Sequence, residues 1–282
     1  MADAPQHKAI QPAPQRPDRP RTPPGLKVLR GHLVLVYAFL YVPIAVLVLL
    51  SFNRAGLPTA WGGFSTHWYG ELAANTAVQR AALNTLIVAV SSTLIASLLG
   101  TLLALAVERR QRKAGVLDAV LFAPMIIPDI ILAIALLSFF TLLQVTLGLH
   151  TIVIAHVVFN IAFVCAVVRT RLKHFDYAIV EASIDLGAGE ITTFRRVTLP
   201  AIFPGVLAAA LLAFTLSVDE FIIAFFTAGA GQASTTLPMQ IFAMIRFGVT
   251  PEINALATIV MLVSFVVLFA AQRMNRGVIG AD

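Results

Sequence analysis

Three carboxylates stand inside apolar stretches of this 282-residue sequence. Asp129 directly follows Pro128, and Asp219 and Glu220 are adjacent to each other. A carboxylate at membrane depth costs at least about 2 to 3 kcal/mol unless it faces a cavity or a cationic partner, and no Lys or Arg lies in these stretches. We therefore interpret Asp129, Asp219 and Glu220 as candidates for a pathway that carries a cationic solute, because ammonium groups pair well with carboxylates.

Each of the three acids also has a structural explanation. Asp129 can accept backbone hydrogen bonds as an N-cap, at the point where a helix broken by Pro128 restarts. On a continuous helix the side chains of Asp219 and Glu220 point about 100° apart, so both rarely face one pathway. For this pair the alternative is a bond to a partner subunit, and the sequence leaves both interpretations open.

Metal binding and catalysis have less support. His150 and His156 are six residues apart, which places them on opposite sides of a helix, and no carboxylate lies near them in the sequence. Polar packing is the interpretation we favour for both. The sequence has no phosphate-binding loop, His-Glu-x-x-His zinc motif or Gly-x-Ser-x-Gly nucleophile motif. We predict no metal site, no catalytic residue and no ATPase site in this chain.

The elements that must position these residues are predicted from composition. The chain is 59% hydrophobic and 12% charged, with a mean hydropathy of +0.87, which excludes a single soluble domain. Six apolar stretches reach or approach the length of about 20 residues that crosses a bilayer as a helix. We predict an all-α membrane protein with six transmembrane helices, near residues 33–52, 83–107, 119–143, 151–168, 205–226 and 255–271.

Basic residues predict the orientation of these spans. All but three of the twenty Lys and Arg precede the first span or follow the second, fourth and sixth; the exceptions are Arg54, Arg80 and Arg246. Because Lys and Arg of short loops stay on the cytoplasmic side, both termini are predicted to be cytoplasmic. The net charge of +6 does not indicate nucleic acid, since the basic residues lie between apolar runs.

Prolines and aromatic residues add local predictions. Residues 1–30 are proline-rich and lack apolar periodicity, which is typical of a disordered tail; residues 31–282 form the predicted transmembrane domain. Pro124 and Pro128 predict a kink in the third span. The aromatic residues of the first outer loop, Trp61, Trp68 and Tyr69, are interpreted as anchors at the membrane interface.

A long polar segment, residues 169–204, separates the fourth and fifth spans. Its first part contains helix formers, with Ile179, Ala182 and Leu186 on one face. Gly187 interrupts this pattern, which then resumes. The segment predicts a short helix, a glycine turn and a second short helix on the cytoplasmic side.

The spacing of this segment resembles the EAA loop of ABC importer permeases: Glu-Ala-Ala, three residues, Gly, nine residues, Ile, one residue, Leu-Pro. The residues that match are Glu181, Ala182, Gly187, Leu199 and Pro200. Ser183 and Val197 replace the usual Ala and Ile conservatively. The resemblance implies that this coupling loop docks on a cytoplasmic ATPase, with Gly187 setting the angle between its helices.

Further pieces of the chain resemble the spermidine/putrescine branch of these permeases: Trp61 to Tyr69, Asn84 to Leu86, Ser217 to Phe221, Leu237-Pro238 and Asn254 to Thr258. The resemblance implies a type I ABC importer permease fold and polyamine import by alternating access. It also implies a place in the bilayer of the bacterial inner (cytoplasmic) membrane. The implied partners are two copies of an ABC ATPase, a second homologous permease and an extracytoplasmic solute-binding protein. ATP and Mg²⁺ are then used by the ATPase, with no cofactor in this chain.

Two alternatives remain open from the sequence. The same machine can import another small solute, such as another amine, an amino-acid derivative or a metal complex, because the polyamine-like pieces occur in permeases for other solutes. A stand-alone secondary transporter or channel, with protons or ions carried by the acids, belongs to a different class. No inverted repeat is apparent to support it, and it gives no reason for the coupling loop.

Overall fold

The computed structural model of the chain describes residues 24–56, 60–108, 114–246 and 248–279. These residues form twelve α-helices, and the isolated β-bridge among them joins Asn53 and Phe64. In chain order the helices are α1 Pro24–Leu50, α2 His67–Ala74, α3 Thr76–Glu108, α4 Ala114–Ile126, α5 Asp129–Leu142, α6 Leu149–Leu172, α7 Ala178–Asp185, α8 Glu190–Thr193, α9 Leu199–Asp219, α10 Ile222–Thr227, α11 Leu237–Ile245 and α12 Pro251–Ile279. A π-helical turn, Phe194–Thr198, precedes α9, and a 3₁₀ turn, Gln232–Ser234, precedes α11. The chain divides into two units, residues 1–46 and residues 47–282.

Among the described residues, four helical stretches are long and apolar enough to cross a membrane. They are Val28–Leu50, Thr76–Glu108, Leu149–Leu172 and Glu190–Asp219. The pair α4 and α5 becomes a fifth if it is taken as one bent span, while the apolar part of α12, Pro251–Val266, is shorter. By length and composition the described helices give four or five spans. The six spans expected from the sequence therefore stay a prediction.

The first helix begins earlier than the sequence predicted. Residues 24–30 were assigned to a disordered tail, but they form the start of α1. Proline suits the first turn of a helix, because its φ is already near the helical value and its missing N–H has no partner there in any case. The rest of the predicted tail, residues 1–23, lies outside the described residues.

A core of α3, α6 and α9 holds the second unit together. Ala96, Ala104 and Val164 are fully buried within it. Gly100 allows α3 and α6 to approach closely, since a Cβ at this position would lie 2.7 Å from Cβ of Val164. The same close approach brings polar residues of these helices together in the interior.

The third predicted span is broken. α4 and α5 are bent by 109° relative to each other, and Pro128 lies at the break with ψ 136°. The predicted kink is therefore confirmed, and the structure places it at Pro128, while Pro124 lies inside α4. Proline at this position disfavours helical backbone at the preceding residue, Ile127, which explains why α4 ends there.

The fifth predicted span is also broken, and here the sequence expectation was wrong. A continuous helix over residues 205–226 was expected to carry both acids. Instead α9 begins at Leu199 and ends at Asp219, Glu220 is extended with φ −69° and ψ 123°, and α10 begins at Ile222. The break arises because the Glu220 side chain satisfies the first N–H groups of α10, as described below.

Side-chain hydrogen bonds hold the loop before α11. Asn84 Nδ2 donates to the carbonyls of Ala233 and Thr235, at 3.0 and 2.9 Å, and the Leu237 N–H donates to Thr85 Oγ1 at 2.7 Å. The two polar residues of the Asn84-Thr85 pair thus fix the loop before α11 against α3.

The loop between α1 and α2 shows what the predicted interface anchors do. Trp68 Nε1 donates to the Asn53 carbonyl at 2.8 Å, and Tyr69 Oη lies 2.7 Å from Ser51 Oγ. Trp61, in contrast, is exposed. The polar atoms of Trp68 and Tyr69 are therefore paired within the chain, and their role as membrane anchors stays a prediction.

Candidate functional site

The polar segment between α6 and α9 forms the helix, glycine turn and second short helix that the sequence predicted. α7 ends with φ +85° at Gly187, a backbone conformation that favours glycine. The Gly187 N–H donates to the Ile184 carbonyl at 2.8 Å, and the Ala188 N–H donates to the Ser183 carbonyl at 3.1 Å. These two bonds define a Schellman motif, which ends α7 and turns the chain into α8.

This segment leaves its apolar side chains uncovered. α7 is described in full and has no buried residue. Leu186 is 89% exposed and Ile191 is 77% exposed, and Tyr177, Ile179 and Ile184 are exposed as well. Contiguous apolar residues of this kind on a polar segment mark a surface that binds a partner. We call the segment Tyr177 to Pro200 the coupling segment.

The five predicted coupling residues take distinct places in this segment. Glu181 lies in the first turn of α7 and Ala182 follows it, both exposed. Gly187 makes the turn, and no described atom lies within 4 Å of the place where its Cβ would be. Leu199 and Pro200 begin α9, after the π-helical turn. Their role in docking stays a prediction.

Arg169, at the end of α6, anchors the chain just before this segment. Its Nη1 lies 2.6 Å from Asp118 Oδ1, and its Nε lies 3.8 Å from Glu108 Oε2. The guanidinium also lies over the Phe122 ring, at 5.7 Å from the centroid. These contacts join the ends of three helices, α3, α4 and α6. In the sequence Arg169 is only one of the basic residues that indicate topology, and nothing there reveals this cluster.

Asp129 is an exposed carboxylate at the start of α5. Pro128 occupies the N-cap position, and no side-chain hydrogen bond caps this helix. Within the described part of the chain no hydrogen bond or ion pair is formed by the Asp129 carboxylate. The geometry therefore does not support the N-cap interpretation of Asp129, and its role in a substrate pathway stays a prediction.

Asp219 and Glu220 differ sharply, although they are adjacent. Asp219 is the last residue of α9 and is exposed. The Glu220 side chain is only 6% exposed. Its Oε1 accepts the Ile223 N–H at 2.7 Å, and its Oε2 accepts the Ala224 N–H at 2.9 Å. Glu220 thus caps α10 with both carboxylate oxygens, a favourable use of negative charge at a helix N-terminus.

A basic side chain also lies beside Glu220. His156 Nε2, on α6, is 3.4 Å from Glu220 Oε2, and the His156 side chain is 1% exposed. The predicted spans contain no Lys or Arg, so from the sequence these acids had no internal partner, but a histidine supplies one for Glu220. The polar packing role predicted for His156 from the sequence agrees with this buried position.

His156 belongs to a buried polar network on three helices. Its Nδ1 lies 2.8 Å from Ser217 Oγ, which is 2.8 Å from Ser92 Oγ and accepts from Asn160 Nδ2 at 3.2 Å. The spacing of four between His156 and Asn160 places both on one face of α6. That spacing was the available signal, because a polar pair on one face of an apolar helix predicts an interior network.

The fold and these two regions define the class: an all-helical, multi-pass membrane protein with an uncovered apolar segment between two of its long helices. A family model described as a binding-protein-dependent transport system inner membrane component matches residues 96–279. This match covers more than half of the chain, so the chain belongs to that family. The assignment made from the EAA pattern is confirmed.

Curated relatives point the same way. The chain is 40% identical over 252 residues to the spermidine/putrescine transport system permease protein PotC of Escherichia coli (strain K12), covering 89% of this chain and 95% of that protein. It is also 40% identical over 256 residues to the putrescine transport system permease protein PotI of the same strain, covering 86% and 90%. The resemblance to the spermidine/putrescine branch is therefore confirmed.

Solved structures support the fold. A chain of a bacterial ABC transporter involved in the import of the acidic polysaccharide alginate has a TM-score of 0.69 at 15% identity, covering 93% of this chain and 99% of that chain. A chain of the MetNI methionine ABC transporter, in inward-facing conformations, has a TM-score of 0.56 at 20% identity, covering 71% and 94%. At such identities the likeness concerns the fold alone.

Proposed function

We propose that this chain is the membrane-spanning permease subunit of an ATP-driven importer of polyamines such as spermidine and putrescine. The observation that carries the proposal is the 40% identity, over most of the chain, to permease proteins named for these solutes. The coupling segment supports it, because it combines the EAA spacing with uncovered apolar side chains. The chain itself contains no ATPase motif, so the energy comes from a partner.

We propose a topology of six spans with both termini in the cytoplasm of a bacterial inner membrane. In this arrangement α4 and α5 together make the third span, and α12 makes the sixth. The basic residues support the orientation, since all but three lie on one side of the spans. The coupling segment is then cytoplasmic, where an ATPase is available.

The proposed assembly contains this chain, a second related permease, two ABC ATPase subunits and an extracytoplasmic solute-binding protein. ATP and Mg²⁺ bind to the ATPase subunits. Closure of the ATPase pair moves the coupling segment, and the helices joined to it rock between outward-open and inward-open states. Arg169 supports this transmission, because it ties the end of α6 to α3 and α4 where the segment begins.

The proposed substrate pathway uses the exposed carboxylates. Asp129 and Asp219 are both exposed, and both lie where a helix is interrupted. Each presents a negative charge that an ammonium group of a polyamine can neutralise transiently. Both carboxylate oxygens of Glu220 accept N–H groups of α10. Glu220 therefore contributes to the pathway by fixing where α10 begins.

Uptake by the assembled transporter tests this function. The chain is reconstituted with its neighbouring transport subunits, and labelled putrescine and spermidine are offered with unlabelled amino acids as competitors. We expect saturable, ATP-dependent polyamine uptake. ATP-dependent uptake of a different solute would keep the ATP-driven importer and reject the polyamine, and cation flux through the purified chain without the ATPase would favour a stand-alone transporter.

A further inference from the structure

The helical backbone is interrupted between α9 and α10. Here the extended Glu220 links two helices, and its carboxylate accepts the N–H groups of Ile223 and Ala224. Both oxygens are used, so the carboxylate can turn only if α10 turns with it. In the described residues, the basic side chain within 4.0 Å of the Glu220 carboxylate is that of His156, at 3.4 Å.

The hydrogen atoms of the polar network determine what His156 presents to Glu220. Ser217 Oγ has one hydrogen and two lone pairs. The Asn160 amide donates to it and occupies one lone pair. If His156 is neutral with its hydrogen on Nε2, Ser217 donates to Nδ1 and Ser92 donates to Ser217. Each hydrogen bond of Ser217 is then satisfied, while Ser92 no longer donates to the Ala89 carbonyl.

A protonated His156 fits the same positions of the heavy atoms. Nδ1 then donates to Ser217, Ser217 donates to Ser92, and Ser92 donates to the Ala89 carbonyl at 3.3 Å. Adding a proton at Nδ1 and reversing the hydroxyl hydrogens of Ser217 and Ser92 converts the first state into the second. The remaining tautomer, with a bare Nε2, would point a lone pair at the Glu220 carboxylate. In each compatible state, therefore, Nε2 carries a hydrogen that faces Glu220.

We infer that His156 is a positioning residue for the substrate pathway. Its Nε2–H holds the Glu220 carboxylate in the break, Glu220 holds α10, and this arrangement leaves Asp219 as the exposed acid at the end of α9. The inference rests on the proposed function for its transport consequence. The positional part rests on the 3.4 Å approach of His156 Nε2 to Glu220 Oε2, since Nε2 makes no well-aligned hydrogen bond with any described atom.

Two substitutions separate this role from simple packing. His156→Gln places an amide nitrogen near the position of Nε2 and so keeps the donor to Glu220. His156→Asn places its amide near Nδ1, which keeps the Ser217 contact and loses the donor. We expect His156→Gln to retain most uptake and His156→Asn to lower the maximal rate about tenfold, since the partner of a buried carboxylate is removed. His150, an exposed histidine of the same helix, provides the control, His150→Asn, with uptake unchanged.

A double-mutant cycle tests whether His156 acts through Glu220. If both residues act as one unit, His156→Asn combined with Glu220→Gln should impair uptake no more than the worse single variant. Additive losses would show that His156 acts elsewhere and would overturn the inference. Equal activities of His156→Gln and His156→Asn would overturn it too.

A labelling measurement keeps the inference separate from the identity of the solute. Asp219→Cys is introduced with Cys165→Ala, which removes the buried native cysteine, and the rate of reaction with a cationic thiol reagent is measured in the assembled complex. We expect the rate at residue 219 to change severalfold in the His156→Asn background and to stay the same with His156→Gln. If the labelling follows this pattern while wild type imports no polyamine, the proposed function fails and the positioning role stands. An unchanged rate with His156→Asn overturns the positioning role.

Discussion

The coupling segment and the break after α9 use their side chains in opposite ways. In the coupling segment the apolar side chains are exposed, Leu186 most of all, while α7 buries no residue. In the break the polar side chains are buried, and His156, Ser217 and Glu220 find their partners within the chain. The first region presents uncovered apolar surface, which we propose a partner protein covers, whereas the polar side chains of the second meet one another inside the chain.

The exposed apolar side chains and the buried polar side chains contribute to different free energies, those of docking and of folding. An exposed apolar side chain gains about 1.5 to 3 kcal/mol when a partner covers it, so it contributes to docking and nothing to the stability of the lone chain. A buried carboxylate that caps a helix contributes to the fold first, because removal of its bonds leaves backbone N–H groups unsatisfied. Substitutions in the two regions should therefore separate assembly from folding.

The largest effect is expected from Leu186→Asp. This change puts a charge at the most exposed apolar position of the coupling segment, where docking would have to desolvate it at a cost of several kcal/mol. We expect ATP-driven uptake to fall more than about tenfold and the complex with the ATPase to dissociate. The measurements are uptake and co-purification of the ATPase with this chain.

Leu186→Met is the matched control, since it keeps an apolar side chain of similar size. It should assemble and transport like wild type. Normal uptake by Leu186→Asp would contradict the idea that the coupling segment docks on a partner through its apolar side chains.

The second prediction separates the two adjacent acids. Asp219→Asn should lower polyamine uptake about tenfold and leave the melting temperature unchanged, because its carboxylate is exposed at the end of α9. Glu220→Gln should lower the melting temperature, since an amide has one oxygen for two N–H groups and the lost bond is worth about 1 to 3 kcal/mol.

Thermal unfolding of the purified complexes and uptake, measured on the same preparations, check this pair. A drop in melting temperature for Asp219→Asn and none for Glu220→Gln would reverse the assignment. Equal effects of both variants on both measurements would mean that the two acids form a single site.

The sequence predicted those helices whose structure depends only on local composition. Uninterrupted apolar runs predicted α3 and α6, because a long stretch without charge has few alternatives to a membrane helix. The glycine turn at Gly187 was also predictable, since the pattern stops there and glycine is the usual residue after a helix end. Neither feature depends on residues that are distant in the sequence.

The break at Glu220 could not be predicted in this way. Locally, residues 205–226 are apolar apart from Thr215, Ser217 and the two acids, and no glycine or proline after Gly205 signals an end. The helix ends because Glu220 bonds forward to α10 and meets His156 from α6, which lies 64 residues earlier in the chain. Contacts between helices, rather than propensity, decide this part of the site.

The third prediction uses two glycines of the coupling segment as a matched pair. Gly187 has φ +85° and Gly189 has φ −71°, and in both cases no described atom would contact an added Cβ. Alanine at Gly187 should cost about 1 to 2 kcal/mol through backbone strain, whereas Gly189→Ala adds no strain and should cost at most about 0.5 kcal/mol, because alanine is disfavoured at the N-cap of α8.

Hydrogen exchange of the amides of residues 178–198 measures this difference. The Gly187 and Ala188 N–H groups form the Schellman bonds, so their exchange should be about five to thirty times faster in Gly187→Ala than in wild type. Equal protection in the two alanine variants would show that the turn has no need of glycine.

The smallest effect is expected from Ser183→Ala, which restores the residue usual in the EAA pattern. Ser183 Oγ lies 3.0 Å from Thr193 Oγ1 and joins α7 to α8 in this chain. Its removal should cost about 0.5 to 1 kcal/mol of local stability, and therefore raise amide exchange in this segment only two- to fivefold. Thr192→Ala, at the exposed neighbouring position, should leave exchange unchanged. Because the apolar face stays intact, uptake should also be unchanged; a loss of uptake with Ser183→Ala would mean that the angle between α7 and α8, and not only the uncovered apolar surface, determines how the coupling segment docks.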